Sequence, residues 1–104
     1  MLNTIKETTY GSIENYDVYT LDVKQTKTIK AVDYFKNKDL YLKIDSPEGV
    51  TISVDLKELP HDTKIKIQNI GASDVSVLNT TLVTGKFVTF LIVFENIILI
   101  DTNV

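Results

Sequence analysis

The chain has 104 residues, a net charge of −3, eleven basic residues that are all lysine, and no cysteine. This length predicts a single domain. The absence of arginine removes the planar fork that reads phosphates and guanine edges, which argues against a nucleic-acid partner. The absence of cysteine excludes disulfides and thiolate metal sites. No stretch reaches the ~20 apolar residues that span a bilayer, and the N-terminus lacks the apolar region of a signal peptide. We therefore expect a soluble protein without a membrane partner.

The N-terminal residues 1–15 are predicted to form an arm without a core of its own. Large apolar side chains are sparse among threonine, asparagine and charged residues, and such a segment buries too little area to offset its ordering cost. This places a boundary at residue 15 and assigns residues 16–104 to one β domain. The large side chains of the arm are Leu2, Ile5, Tyr10 and Ile13.

The middle of the chain alternates apolar and polar residues with a period of two, which is typical of strands with one wet face. Residues 16–23 and 28–34 are predicted strands. The alternation is clearest in residues 40–45 and 50–56, and Pro47 and Gly49 between them indicate a turn. These two strands are therefore predicted to form a hairpin.

Further alternating segments follow at residues 64–68 and 75–77, and no window shows helical periodicity. Seven or eight short strands at this spacing predict an all-β fold: a single small antiparallel β-sandwich, jelly-roll-like, with the short N-terminal arm.

The last predicted strands, residues 86–94 and 96–101, are apolar on both faces. In a small antiparallel sheet one face is normally wet. Either these strands are central and covered on both sides, or their outer face meets another subunit; we favour association because the chain has little material left to cover a second face. The residues predicted for this oligomer interface are Phe87, Val88, Phe90, Leu91, Ile92, Phe94, Ile98 and Ile100.

The sequence offers no constellation for catalysis. His61 is the only histidine and lies in a predicted turn. No second histidine is available to build a metal site, and a Ser-His-Asp relay could be assembled only through His61. Glu95 interrupts the most apolar segment, where a tight turn with Asn96 is favoured over a buried acid. The prediction is a protein that is not an enzyme and has no cofactor, metal site or catalytic residue.

Residues 49–100 resemble a recurring module of bacteriophage head-fibre and capsid-decorating proteins. The resemblance rests on an order of elements: the strand at 50–56, a Leu-Pro-x-x-Thr turn at 59–63, Ile-x-Asn-x-Gly at 67–71, Val-x-Val at 75–77, and the Gly-led strand at 85–90. This chain lacks the terminal Gly and Trp that often close the last hairpin in the family.

The resemblance implies a homotrimeric structural protein of the virion, attached through its N-terminal arm to the capsid surface or to other virion proteins. Leu2, Ile5, Tyr10 and Ile13 are then the candidate attachment residues. The alternative is a β-sandwich module of a phage tail or fibre that binds a receptor or host-surface glycan. An enzyme on a jelly-roll scaffold is disfavoured by the single histidine and the missing cysteine and arginine.

Overall fold

A computed structural model describes residues 8–13 and 15–104 of the chain. Over these residues it contains ten strands and a single 3-10 turn at Ala31–Tyr34. The strands are β1 (Thr8–Ile13), β2 (Tyr16–Asp22), β3 (Lys27–Lys30), β4 (Asp39–Asp45), β5 (Ile52–Asp55), β6 (Lys64–Asn69), β7 (Val75–Val77), β8 (Thr80–Leu82), β9 (Phe87–Val93) and β10 (Asn96–Thr102).

The strands form two sheets that share one hydrophobic core. The larger sheet has the order β1-β2-β4-β6-β9-β10, and the smaller has the order β3-β5-β7-β8. Three successive chain segments each give one strand to the larger sheet and the next to the smaller: β2 with β3, β4 with β5, and β6 with β7. Equivalent strands from these segments are parallel neighbours within a sheet, in the order β2-β4-β6 in the larger sheet and β3-β5-β7 in the smaller.

The parallel pairing ends after β7, where the chain reverses direction. After β7, the strand β8 pairs antiparallel with it, and β9 pairs antiparallel with β6. A two-residue turn at 94–95 then leads into β10, which pairs antiparallel with β9. At the opposite side of the larger sheet, β1 pairs antiparallel with β2. The larger sheet therefore has β1 and β10 as its two edges.

Alternation along each strand determines which side chains reach the core. Leu40, Leu42 and Ile44 of β4 are fully buried, as are Ile65 and Ile67 of β6. From the smaller sheet, the core receives residues such as Ile29, Val54 and Val77. Burial of each such side chain contributes roughly 1.5–3 kcal/mol to folding. The two sheets are therefore stabilised by one continuous apolar layer.

A buried asparagine fixes the turn after β6. The Nδ2 of Asn69 donates to the carbonyl oxygens of Ser73 and Leu82, at 2.8 and 2.7 Å, and its Oδ1 accepts from the Gly71 N–H at 2.9 Å. Asn69 is completely buried, so these bonds offset the desolvation of its amide. The Ile-x-Asn-x-Gly segment is therefore a structural turn that links the two sheets.

The structure confirms a small, mostly β domain with two sheets and almost no helix, but it corrects the predicted strand pairing. Four of the eight strand pairs among the described residues are parallel, so a wholly antiparallel, jelly-roll-like arrangement is wrong. The predicted hairpin at 40–56 is also wrong, because β4 and β5 lie in different sheets. The predicted strand at 28–34 ends at Lys30 and continues as the 3-10 turn.

The predicted arm differs from the structure over its second half. Residues 8–13 form strand β1, which pairs with β2 along its whole length. The hydroxyl of Tyr10 donates to Oδ1 of the buried Asp17 at 2.8 Å, and its ring lies 5.2 Å from that of Tyr19. The sheet therefore begins at least seven residues before the predicted boundary. The other half of the predicted arm, with Leu2 and Ile5, lies outside the described residues.

Candidate interaction surface

The larger sheet has a second face outside the core that it shares with the smaller sheet, and on this face Val18 and Thr89 are buried while most of their neighbours are partly exposed. We call this side, which points away from the smaller sheet, the outer face. Because alternate residues of a strand point to opposite sides, β4 presents Tyr41 and Lys43 there while its leucines enter the core. Strand β2 presents Tyr16 and Val18 in the same way. The outer face is therefore neither uniformly polar nor uniformly apolar.

An aromatic and lysine network occupies the centre of the outer face. The Lys66 Nζ lies 4.8 Å from the ring centroid of Tyr41 and 4.4 Å from that of Phe87, and the Lys43 Nζ lies 5.2 Å from the Tyr41 ring. The Tyr41 hydroxyl also hydrogen-bonds to the Gln68 side chain. Cation–π contacts of this kind contribute about 0.5–1 kcal/mol each at exposed sites. They hold two ammonium groups beside one phenol ring.

Next to this network is a cleft of about 340 Å³. It is lined by Ile13, Tyr16, Tyr41, Lys64, Lys66, Thr89, Ile100 and Asp101. The rings of Tyr16 and Tyr41 meet edge to face with centroids 6.3 Å apart. Burial, followed by the nearby charges of Asp39 and Asp101, raises the pKa of Tyr16 above its ordinary value. The cleft thus combines two aromatic rings with the carboxylate of Asp101 and the ammonium groups of Lys64 and Lys66.

Strand β10 is an exposed apolar edge. Ile98, Leu99 and Ile100 are 45, 50 and 45% exposed, and the strand carries a single charged residue, Asp101. Edge strands are usually protected by lysine, proline or a bulge, because their free N–H and C=O groups can pair with another chain. Here the only such device is an irregularity in the pairing between Leu99 and Asp101. The edge is therefore open over most of its length.

The predicted interface residues divide into two groups. Val88, Phe90 and Ile92 are no more than 4% exposed and belong to the chain's own core, so they are not available to a partner and their assignment to an interface is wrong. The alternation that makes β9 apolar on both faces sends these three residues inward. Phe87 and Leu91 lie half-buried on the outer face.

The remaining interface candidates are the most accessible. Ile98 and Ile100 are exposed on β10, and Phe94, at 73% exposure, is the most exposed large apolar side chain among the residues that the structure describes. Among the attachment candidates, Tyr10 and Ile13 are exposed on β1. Both sets of exposed candidates thus lie at or next to the two edges of the larger sheet.

His61 and Glu95 both lie in turns, as the sequence predicted. Glu95 and Phe94 form the two-residue turn between β9 and β10. His61 is exposed and contacts this turn: its ring stacks on that of Phe94, and its Nδ1 accepts the Phe94 N–H. His61 thus supports the end of the β9–β10 hairpin.

The rest of the described chain adds little that could carry chemistry. A cleft of about 490 Å³ lies beside the loop between β2 and β3, with Leu21, Ile29 and Tyr34 in its lining. Across residues 8–13 and 15–104, no group of three or more histidine, cysteine, aspartate or glutamate side chains is arranged to hold a metal ion. In the same part of the chain, no helix is long and apolar enough to cross a membrane.

Comparison with known proteins gives no relative: the chain matches no protein-family model, no curated protein and no solved structure. The resemblance to phage head-fibre and capsid-decorating proteins therefore remains a prediction from the sequence.

Sequence reasoning missed the network on the outer face. In the sequence, Tyr16, Tyr41 and Lys66 lie far apart, on three separate predicted strands. Their adjacency follows from the parallel pairing of β2, β4 and β6, which puts Tyr16 beside Asp39, two residues before Tyr41, and puts Tyr41 beside Lys66. The signal that could have revealed it is the repeated strand pattern that begins at residues 16, 39 and 64.

Proposed function

We propose that this chain is a structural subunit that assembles with copies of itself into a homotrimer on the surface of a bacteriophage particle. The observation that carries the assembly is the exposed apolar edge strand β10, with Ile98, Leu99 and Ile100 accessible. An edge of this kind is a site for pairing with another chain and a liability if left free. The virion location rests on the resemblance of residues 49–100 to phage head-fibre and capsid-decorating proteins.

The neighbouring outer face supports the same proposal. Leu91 pairs with Ile98 across β9 and β10, and both side chains share the outer face with half-buried Phe87 and Val93. This apolar strip continues from the edge strand into the sheet. A partner that packs against β10 therefore also covers part of the strip, which adds apolar burial to the main-chain hydrogen bonds.

The assembly is tested by measuring the mass in solution by light scattering coupled to size exclusion. The expected value is three times the 11.7 kDa mass of the chain. A monomer at micromolar concentration contradicts self-association. A dimer leaves self-association in place and contradicts the trimer implied by the resemblance.

The virion location is tested on particles of the phage that encodes the chain. Immunogold labelling is expected to mark the capsid surface, and unlabelled particles contradict the proposal. Deleting residues 1–7, which leaves β1 in place, is expected to abolish incorporation if this segment attaches the protein to the particle. Normal incorporation of the shortened protein contradicts the attachment role of Leu2 and Ile5 and assigns attachment to residues 8–104.

A second candidate function, binding of a host-surface glycan, is favoured by one observation. The 340 Å³ cleft combines two tyrosine rings with the carboxylate of Asp101 and the ammonium groups of Lys64 and Lys66. Aromatic rings that stack on sugars, flanked by polar groups that bind hydroxyls, are usual in such sites. A glycan array tests it: binding that is lost in Tyr16→Ala supports this function, and no binding to any glycan rejects it.

A further inference from the structure

We infer that copies of this chain join head to tail, with β10 of one copy pairing antiparallel with β1 of the next copy. This inference rests on the proposed self-association and names the two surfaces that meet. A closed trimer of identical subunits requires two different surfaces that bind each other, because identical surfaces meeting across a two-fold axis produce dimers. The two edges of the larger sheet provide such a pair.

The strand directions fit this pairing. Strands β2, β4 and β6 run in one direction, and β9 runs in the other. Because β10 is antiparallel to β9 and β1 is antiparallel to β2, β10 and β1 run in opposite directions. When the next copy extends the sheet beyond β10, its β1 therefore lies antiparallel to β10, and the outer faces of the two copies become continuous.

The exposed side chains of the two edges also match. Ile13 pairs with Tyr16, and Leu91 pairs with Ile98, so Ile13 and Ile98 are on the outer face near the same end of the sheet. On the opposite face, Tyr10 and Leu99 are exposed at the two edges. Joining the edges would place isoleucine near isoleucine on one face and leucine near tyrosine on the other. Each contact removes apolar area from water.

Charge favours this arrangement over the pairing of two β10 strands. The Lys38 ammonium donates to the Ser12 hydroxyl at 3.1 Å and so lies at the β1 edge. Glu95 lies in the turn before β10, at the same end of the sheet. Head-to-tail joining would bring Glu95 towards Lys38 of the next copy. Two antiparallel β10 strands would instead bring Glu95 of one towards Asp101 of the other, and like charges repel.

Two blocking substitutions separate these arrangements. Val93 and Asn96 flank a two-residue turn and bond to each other, so the N–H groups of β10 that point away from β9 include that of Leu99. Leu99→Pro therefore removes a donor from the free edge without removing one from the ladder with β9. By the same alternation, Ser12→Pro blocks the free edge of β1. Circular dichroism and melting of each variant check that it folds.

The decisive measurement is the mass of each variant alone and of their mixture. Head-to-tail joining predicts that each variant alone is a monomer. It also predicts that the mixture forms a heterodimer, because Leu99→Pro retains a free β1 and Ser12→Pro retains a free β10. The heterodimer cannot extend further, since its two outer edges are both blocked.

Every other outcome overturns the inference. If Ser12→Pro assembles alone while Leu99→Pro does not, β10 pairs with β10. If both variants assemble alone, or if the mixture stays monomeric, the two edges do not form the contact. A monomeric wild-type protein overturns the proposed self-association as well, whereas the other outcomes leave it standing. Should either proline variant fail to fold, Leu99→Lys and Ile13→Lys replace the pair, because an exposed lysine also disfavours edge pairing.

Discussion

The imidazole of His61 lies nearly flat on the ring of Phe94, with centroids 4.1 Å apart and an interplanar angle of 14°. The Phe94 N–H donates to Nδ1 of His61 at 2.9 Å. Phe94 has a backbone φ of +57°, a conformation that costs a residue with a bulky side chain of the order of 1 kcal/mol or more. The histidine thus contributes a stacking contact and a hydrogen-bond acceptor that offset the strain of the β9–β10 turn.

Substitutions at His61 can separate these two contributions. His61→Ala removes both the ring and the acceptor, and we expect it to lower the free energy of unfolding by about 1–2 kcal/mol. His61→Phe retains a ring that can stack and loses only the acceptor, so its cost should be about half as large. Chemical denaturation of the two variants measures both values. Equal costs would mean that the stacking contributes nothing to stability.

Phe90 and Leu91 are adjacent in β9 but lie on opposite faces of the sheet, so aspartate at the two positions should have different effects. Phe90→Asp places a carboxylate in the core, where Phe90 is 4% exposed, and should destabilise the chain by roughly 3–5 kcal/mol or more. Leu91→Asp lies on the half-buried outer face next to Ile98 and should leave the fold intact while weakening self-association. Circular dichroism reports the fold, and light scattering reports the mass. An unfolded Leu91→Asp variant, or a folded Phe90→Asp variant, contradicts the assigned faces.

Local alternation predicted many of the strands but not their neighbours. The periods in residues 40–45 and 64–68 identify β4 and β6 and the residues that enter the core, because alternation depends only on the strand itself. Whether β4 pairs with β5 or with β2 depends on contacts across more than twenty residues. Pro47 and Gly49 indicated a turn correctly. That turn crosses between two sheets instead of closing a hairpin, and turn residues alone do not distinguish the two.

The repeat that could have predicted the parallel pairing is weak. Strands β2, β4 and β6 begin at residues 16, 39 and 64, a spacing of 23 and 25 residues, which lies within the range of stacked repeat units. Only the hydrophobic positions recur, with no repeated motif. Predicting the surface of Tyr16, Tyr41 and Lys66 therefore requires recognition of this weak repeat, since the surface exists only once the three strands are side by side.

A close backbone approach makes Gly71 irreplaceable. A Cβ atom at this position would lie 2.1 Å from the backbone nitrogen of Ser46 and 2.7 Å from its carbonyl oxygen, and neither can move without shifting the turn after β4. We expect Gly71→Ala to lower the free energy of unfolding by about 3 kcal/mol or more. Gly11→Ala is a matched control, because no atom lies within 4 Å of its Cβ position, and its effect should stay within about 1 kcal/mol. Similar costs for the two variants would contradict the close contact.

Tyrosine ionisation predicts a loss of stability at alkaline pH. The hydrogen bond that Tyr10 donates to Asp17, followed by partial desolvation of the phenol and the charge of Asp17, raises the pKa of Tyr10 above its usual value near 10. Burial likewise raises the pKa of Tyr34 and Tyr41. A raised pKa in the folded state means that folding favours the protonated phenol. The associated stability is present in full below the unfolded pKa and is lost as pH rises through the folded pKa.

Tyr10→Phe measures how much of the stability lost at alkaline pH comes from the Tyr10–Asp17 pair. At neutral pH the variant should be less stable than the wild type, because Asp17 is buried and loses the hydrogen bond from Tyr10. Above pH ~10 its stability should fall less steeply, since one phenol whose ionisation opposes folding is gone. Lysine ionisation contributes to both proteins and cancels in the comparison. Denaturant titrations from pH 7 to pH 11 measure the difference. Parallel pH profiles for the two proteins would mean that Asp17 does not hold the Tyr10 proton, and the role of β1 in the sheet would then rest on its backbone pairing with β2.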